Sequence, residues 1–191
     1  SGVEGETVAV GENELISGLV ERLTHHTSET WSKLVPGLSL SRYTGTNRFE
    51  AMVYEPLVCL ILHGQKQTTM GNQDVISAAG QCVIVSHAMP VVARVTRATP
   101  EAPYLSLVAT LDLSELRILC DDLGDEPLDA RPMSAVSVTT LPDEIVDTFA
   151  RYAALIDDPD DARILAPLVR RELHYRLLRS DRGGMLRALL R

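Results

Sequence analysis

The sequence has no run approaching the roughly 18 consecutive apolar residues that a membrane-spanning helix needs, so no membrane role is expected. Cysteine is sparse. Cys59, Cys82 and Cys120 are an odd number with no zinc-type spacing, and Cys59 and Cys82 fall inside expected strands as small apolar fillers. This points to a reducing, cytoplasmic setting. Basic charge is short as well: 18 Lys and Arg stand against 26 Asp and Glu, a net charge of −8. A broad basic surface for nucleic acid is thereby excluded. The acidic, polar N-terminus is not a secretory signal.

What is present suffices for one domain with a real core and a helical appendage: 191 residues, 45% of them hydrophobic. The chain is organised around residues 54–95. Tyr54-Glu55-Pro56 leads into Leu57-Val58-Cys59-Leu60-Ile61-Leu62, then His63-Gly64-Gln65-Lys66, a Gly71-Asn72 turn, Cys82-Val83-Ile84-Val85, and Pro90 with Val91-Val92-Ala93-Arg94-Val95. Short β-rich runs separated by Gly, Asn and Pro predict an antiparallel sheet closing into a barrel or sandwich. The runs are apolar at nearly every position, so both sheet faces should be covered, one by a barrel interior and one by helices or a partner.

In chain order, residues 1–12 read as disordered, and Asn13 as the N-cap of a helix over residues 14–25. Pro36-Gly37 breaks the chain, and a first strand covers 38–43. Further strands are expected at 49–53, 57–63, 65–70, 74–77, 82–86, 91–98 and 104–112. The period then changes. Asp112 with Glu115 resembles a capping box for a helix to Leu123, and 124–137 is a connector. Helices follow at 142–156 and 162–178, the second capped by the acidic stretch 157–161 and containing Pro167 at its start or at a kink. Residues 185–191 are helical in propensity. A chain ending on Leu189-Leu190-Arg191, after an arginine-rich stretch, reads as a piece of something longer.

These pieces resemble the N-terminal effector-sensing domain of AraC-type bacterial transcription regulators. The resemblance is carried by Leu38-Ser39-Leu40-Ser41-Arg42, Tyr54-Glu55-Pro56, Leu60, Gly64-Gln65-Lys66, the Gly71 turn, Pro90 with Val91-Val92-Ala93, and Pro103-Tyr104-Leu105. It continues through Asp112-Leu113-Ser114-Glu115-Leu116 and the segment from Arg171 to Leu178 with Gly183-Gly184 after it. It implies an α+β, mostly β, fold: a cupin-like antiparallel β-barrel within residues 13–111, followed by a C-terminal helical segment, 112–191, that dimerises. It also implies a small-molecule effector, and DNA binding only through a C-terminal helix-turn-helix domain absent from this chain.

Metal-binding cupins share a His-x-His pair, a following Glu and a later His. No His-x-His occurs here, and His63 and His87 are the only histidines in the sheet. No metal and no cofactor is therefore expected. Catalysis finds no better footing. Ser86 and His87, adjacent in a strand, should point to opposite faces. Asp112 and Glu115 are better read as a cap, and an apolar surround dulls the Cys59 thiol. A ligand cavity is the more natural use of a barrel. Taking the smaller and more polar set of each strand as inward-facing gives Cys59, Ile61 and His63, then Cys82, Ile84 and Ser86, then Tyr104 and Ser106. Arg94 is the one charge in an apolar strand. Inside it would need an anion; outside, which is favoured, it is a solvated arginine. A one-residue error of register inverts such a list. The alternatives to a sensor are a metal-free cupin-like enzyme and a dimerisation module whose barrel is filled by its own side chains.

Overall fold

The computed structural model describes residues 10–124 and 136–190, with side chains from residue 14 onward. Helix α1 (Val10–Leu23) comes first and buries Leu19 and Leu23. It begins ahead of the expected start, so residues 10–12 are helical rather than disordered. Residues 1–9 and the Asn13 side chain lie outside the described residues. Strands β1 (Trp31–Val35) and β2 (Leu38–Tyr43) form a hairpin across Pro36-Gly37. The sequence reading starts the sheet only at Leu38. β1 is an edge strand in which Val35 alone is buried, so its polar side reads as loop.

Seven strands lie close to their expected spans: β3 (Glu50–Tyr54), β4 (Leu57–His63), β5 (Gln65–Met70), β6 (Gln73–Ala78), β7 (Gln81–Val85), β8 (Met89–Arg97) and β9 (Tyr104–Thr110). The Gly71-Asn72 turn joins β5 to β6 as expected, with Met70 opposite Gln73. Helix α2 (Leu113–Leu123) follows, then β10 (Val136–Thr140), α3 (Asp143–Ala154), a 3-10 turn at Leu155–Asp157, α4 (Pro159–Arg179) and α5 (Gly183–Ala188). β10 corrects the purely helical reading of 112–191. It returns to the barrel and pairs antiparallel with β7, from Val136 opposite Val85 to Thr140 opposite Gln81. The rest of the expected connector, 125–135, lies outside the described residues.

Every pairing is antiparallel. One sheet has the order β1-β2-β9-β4-β7-β10 and the other β3-β8-β5-β6. This is an α+β, mostly β, architecture, with two sheets facing each other in the manner expected of a cupin-like barrel. The larger sheet separates two apolar clusters. Val58, Leu60 and Leu62 of β4 join α1, α2, α3 and α4 in the larger cluster. Cys59 and Ile61 of the same strand join the smaller cluster inside the barrel. The continuous apolar run of β4 thus follows from burial on both faces.

The helices carry the caps that the sequence announces. Asp112 Oδ1 accepts the Glu115 N–H at 3.1 Å. Glu115 does not return the bond; its carboxylate instead accepts from Arg171 Nη1 at 2.8 Å, tying α2 to α4. Asp158 accepts from the N–H groups of Asp160 and Asp161, and Pro159 occupies the first turn. Pro167 lies inside α4. No helix among the described residues is long and apolar enough to cross a membrane.

Two polar positions on α4 make its docking sensitive to acid. The buried His174 accepts the Asp112 N–H on Nε2 at 2.9 Å and donates from Nδ1 to the Arg170 carbonyl at 2.7 Å. Burial pushes its pKa below the ordinary 6.5, against the opposing pulls of the Arg170 carbonyl, Asp112 and Glu115; the Arg170 charge adds to the lowering. The Glu172 pKa falls to about 2, chiefly through hydrogen bonds from Arg151, with Thr148 and Arg176 adding to it against burial. Native His174 stays neutral while the unfolded chain takes up a proton. Its contribution is therefore complete above 6.5 and is lost as pH falls through its lower native value. The Glu172 contribution, on the order of 1–2 kcal/mol after solvent screening, is complete above 4.5 and lost towards about 2. Urea denaturation across the acid range should show both falls, and His174→Gln should remove the upper one. A wild-type stability that stays flat between neutrality and the ordinary carboxylate range would contradict the neutral buried histidine.

Candidate functional site

Between the two sheets lies a cavity of about 330 Å³. Strand register builds its walls. In the larger sheet, Cys59 stands opposite Val83 on one side and Val108 on the other, and Ile61 opposite Ser106, which in turn faces Ser41. In the smaller sheet, Thr68 pairs with Ala93 and Lys66 with Val95. All of these side chains line the cavity, with Tyr43 and Tyr54. Trp31, Glu50, Glu55 and Arg94 also border it and are exposed to solvent.

Among the expected site residues, Cys59, Ile61, Ser106 and Arg94 border the cavity. Arg94 is exposed, as favoured. Its guanidinium lies 4.5 Å from the centre of the Phe49 ring and donates to Gln67 Oε1 at 3.3 Å. Tyr104 is buried in the barrel-side cluster, not on the cavity wall, and packs edge-on against Tyr43 at 6.1 Å between ring centres. Burial pushes its hydroxyl pKa well up.

Cys82 and Ile84 do not face the cavity. They pair with Leu60 and Val58 and belong to the helix-side core, while Val83 and Val85 point into the barrel. The smaller and more polar set is no guide to the inward face where both faces are dry, because neither face then demands polarity. His63 is off the cavity wall; its Nδ1 lies 3.1 Å from the Pro103 carbonyl oxygen. Ser86 falls just past β7, and its Oγ is 3.2 Å from His87 Nδ1. The expected divergence of these two side chains holds only within a strand, and here the strand has ended. Neither lines the cavity.

Sequence reasoning missed Lys66, Tyr54, Val83 and Ala93. Lys66 is the consequential omission. Its ammonium stands 5.1 Å from the centre of the Tyr54 ring. Burial lowers its pKa, but Tyr54, Cys59 and Tyr43 more than offset this, leaving it above the ordinary lysine value. The Cys59 thiol is likewise pushed up, first by burial. The cavity therefore holds a protonated amine beside a protonated thiol. No group of three or more His, Cys, Asp or Glu among the described residues is placed to hold a metal ion.

Residues 34–185 match the family described as "AraC-type transcriptional regulator N-terminus". No match in sequence is found among curated proteins. Among solved structures, an apo ToxT variant from Vibrio cholerae strain SCE256 superposes with a TM-score of 0.49 at 8% identity, covering 75% of this chain and 56% of that one. The AraC-like transcriptional activator CuxR gives 0.39 at 12% identity, covering 84% and 54%. A cupin-2 domain protein from Shewanella frigidimarina NCIMB 400 gives 0.32 at 13%, covering 48% and 91%. The chain thus spans a little over half the length of the two regulators. With most of its length matched from β1 to α5, the chain belongs to the AraC-type transcriptional regulator N-terminus family.

Proposed function

We propose that this chain is the regulatory part of an AraC-type regulator, binding a small-molecule effector between its sheets and self-associating through its helices. DNA is then read by a helix-turn-helix domain outside these residues, and the chain itself is not an enzyme. The observation that carries the reading is the cavity itself, about 330 Å³ with largely hydrocarbon walls, a size suited to a small organic ligand. β4 gives the ligand a route to the helices: Cys59 touches the cavity, while Val58 and Leu60 beside it pack against the helix-side core. For regulation, the effector must bind two arrangements with unequal affinity. Self-association is supported by an exposed apolar ridge on α4, Ile164, Leu168 and Tyr175, which a two-fold partner would cover.

A thermal-shift screen tests the effector site. A ligand at 100 times its Kd should add roughly 2.7 kcal/mol, and Ala93→Phe, which fills the cavity, should abolish that gain. Stabilisation that survives the filled cavity would move the effector elsewhere. Sedimentation tests the ridge: Leu168→Asp should leave a folded monomer, and an unchanged mass would exclude α4 as the interface.

A further inference from the structure

Resting on the reading of this cavity as the effector site, we propose that Lys66 anchors the effector and that the effector is an apolar monoanion, a single carboxylate or sulfonate on a hydrocarbon or aromatic body. Pairing of Lys66 with Val95 aims its side chain inward, among walls supplied mostly by Cys59, Ile61, Val83, Val95 and Val108. Among the described residues its ammonium joins no ion pair; it meets the Tyr54 side chain, through the ring face and a hydrogen bond. An inward-facing cation whose partners are an aromatic ring and a hydroxyl, with no carboxylate among them, leaves a place for an anion. An anionic head arriving with an apolar body would supply the missing counter-charge while the body covers the walls.

Other ligand classes fit less well. Covalent capture of an electrophile needs a neutral amine or a thiolate, and both Lys66 and Cys59 are held in their protonated forms. A sugar needs polar partners around its whole rim, and the hydroxyls of Ser41, Tyr43, Tyr54, Thr68 and Ser106 and the Asn47 amide are set in walls that are otherwise mostly hydrocarbon. A dianion would find no second cation beside Lys66 within the barrel, since Arg94 borders the cavity on its solvent-exposed side, along with the carboxylates of Glu50 and Glu55.

Anilinonaphthalene sulfonate and N-phenylnaphthylamine share one aromatic body and differ by the anionic group, so fluorescence titration of the two isolates the charge. Binding within the cavity is scored as the part lost in Ala93→Phe. The wild-type chain should bind the sulfonate at least about tenfold more tightly than the neutral amine. Lys66→Met and Lys66→Gln should erase that preference while leaving the neutral probe within about twofold, and Lys66→Arg should retain most of it; thermal denaturation checks that each variant folds. If both probes bind the wild-type cavity equally, or if the preference survives in both neutral variants, the anchor is overturned and the effector cavity stands. If neither probe binds in a manner sensitive to Ala93→Phe, the cavity reading fails, and the anchor with it.

Discussion

Replacing Gly64 by alanine is expected to destabilise the domain by about 3–5 kcal/mol, combining backbone strain with a clash. β4 ends at His63 and β5 begins at Gln65, so the chain passes from one sheet to the other through Gly64 alone. It does so at φ +85, a conformation that a side chain disfavours. A Cβ there would lie 2.5 Å from the Arg97 carbonyl oxygen and 2.9 Å from the Tyr104 Cα. Both are backbone atoms, of β8 and β9, so relief requires moving strands that wall the cavity. Gly80 is the control. It has the same φ of +85, yet a Cβ there meets nothing within 4 Å, so Gly80→Ala should cost only about 1–2 kcal/mol. Against a typical total of about 5–15 kcal/mol, the Gly64 change lowers Tm by roughly 10 °C. Equal costs for the two substitutions in thermal and urea denaturation would mean that the corner has room to spare.

The contrast between these glycines shows what a sequence carries and what it leaves out. Both read as turn punctuation; only the approach of β8 and β9 separates them. The helices were legible because an apolar stripe and a cap agree: Asp112 and Asp158 accept the backbone N–H groups that their positions predict. The coverage of β4 on both faces was legible because six apolar residues in succession leave no wet side. The orientation of β7 was not, for the same reason: in Cys82-Val83-Ile84-Val85 every position tolerates burial, and only the pairing of Cys59 with Val83 decides the face. β10 escaped notice because Ser137, Thr139 and Thr140 give it a polar, connector-like composition. Lys66 was hidden among Gln65, Gln67 and Thr69, where a lysine reads as a solvated strand residue. That this lysine faces inward comes from its partner Val95, not from its neighbours in the chain.

Truncating the two apolar clusters should give unequal costs, which tests whether the barrel side is open. Leu60 is fully buried in the helix-side core, opposite Cys82 and Leu107. Leu60→Ala removes three carbons from packed surroundings. The transfer contribution is about 2.4 kcal/mol at 0.8 per carbon. The void left between sheet and helices adds to it, for a total of about 3–5 kcal/mol. Val83 borders the cavity from β7. Val83→Ala removes two carbons, worth about 1.6 kcal/mol by transfer. The space created joins a volume that already exists, so little is added beyond transfer. Urea denaturation of the two variants should therefore give an excess over transfer near zero for Val83 and of about 1–2.5 kcal/mol for Leu60. A large excess at Val83 would mean that the barrel wall is packed as tightly as the helix side, which favours a self-filled barrel. A small excess, joined to partial rescue of Val83→Ala by a bulkier cavity ligand, is what an effector site requires: volume that the chain does not fill itself, bounded by a sheet whose other face is too tightly packed to yield without moving the helices.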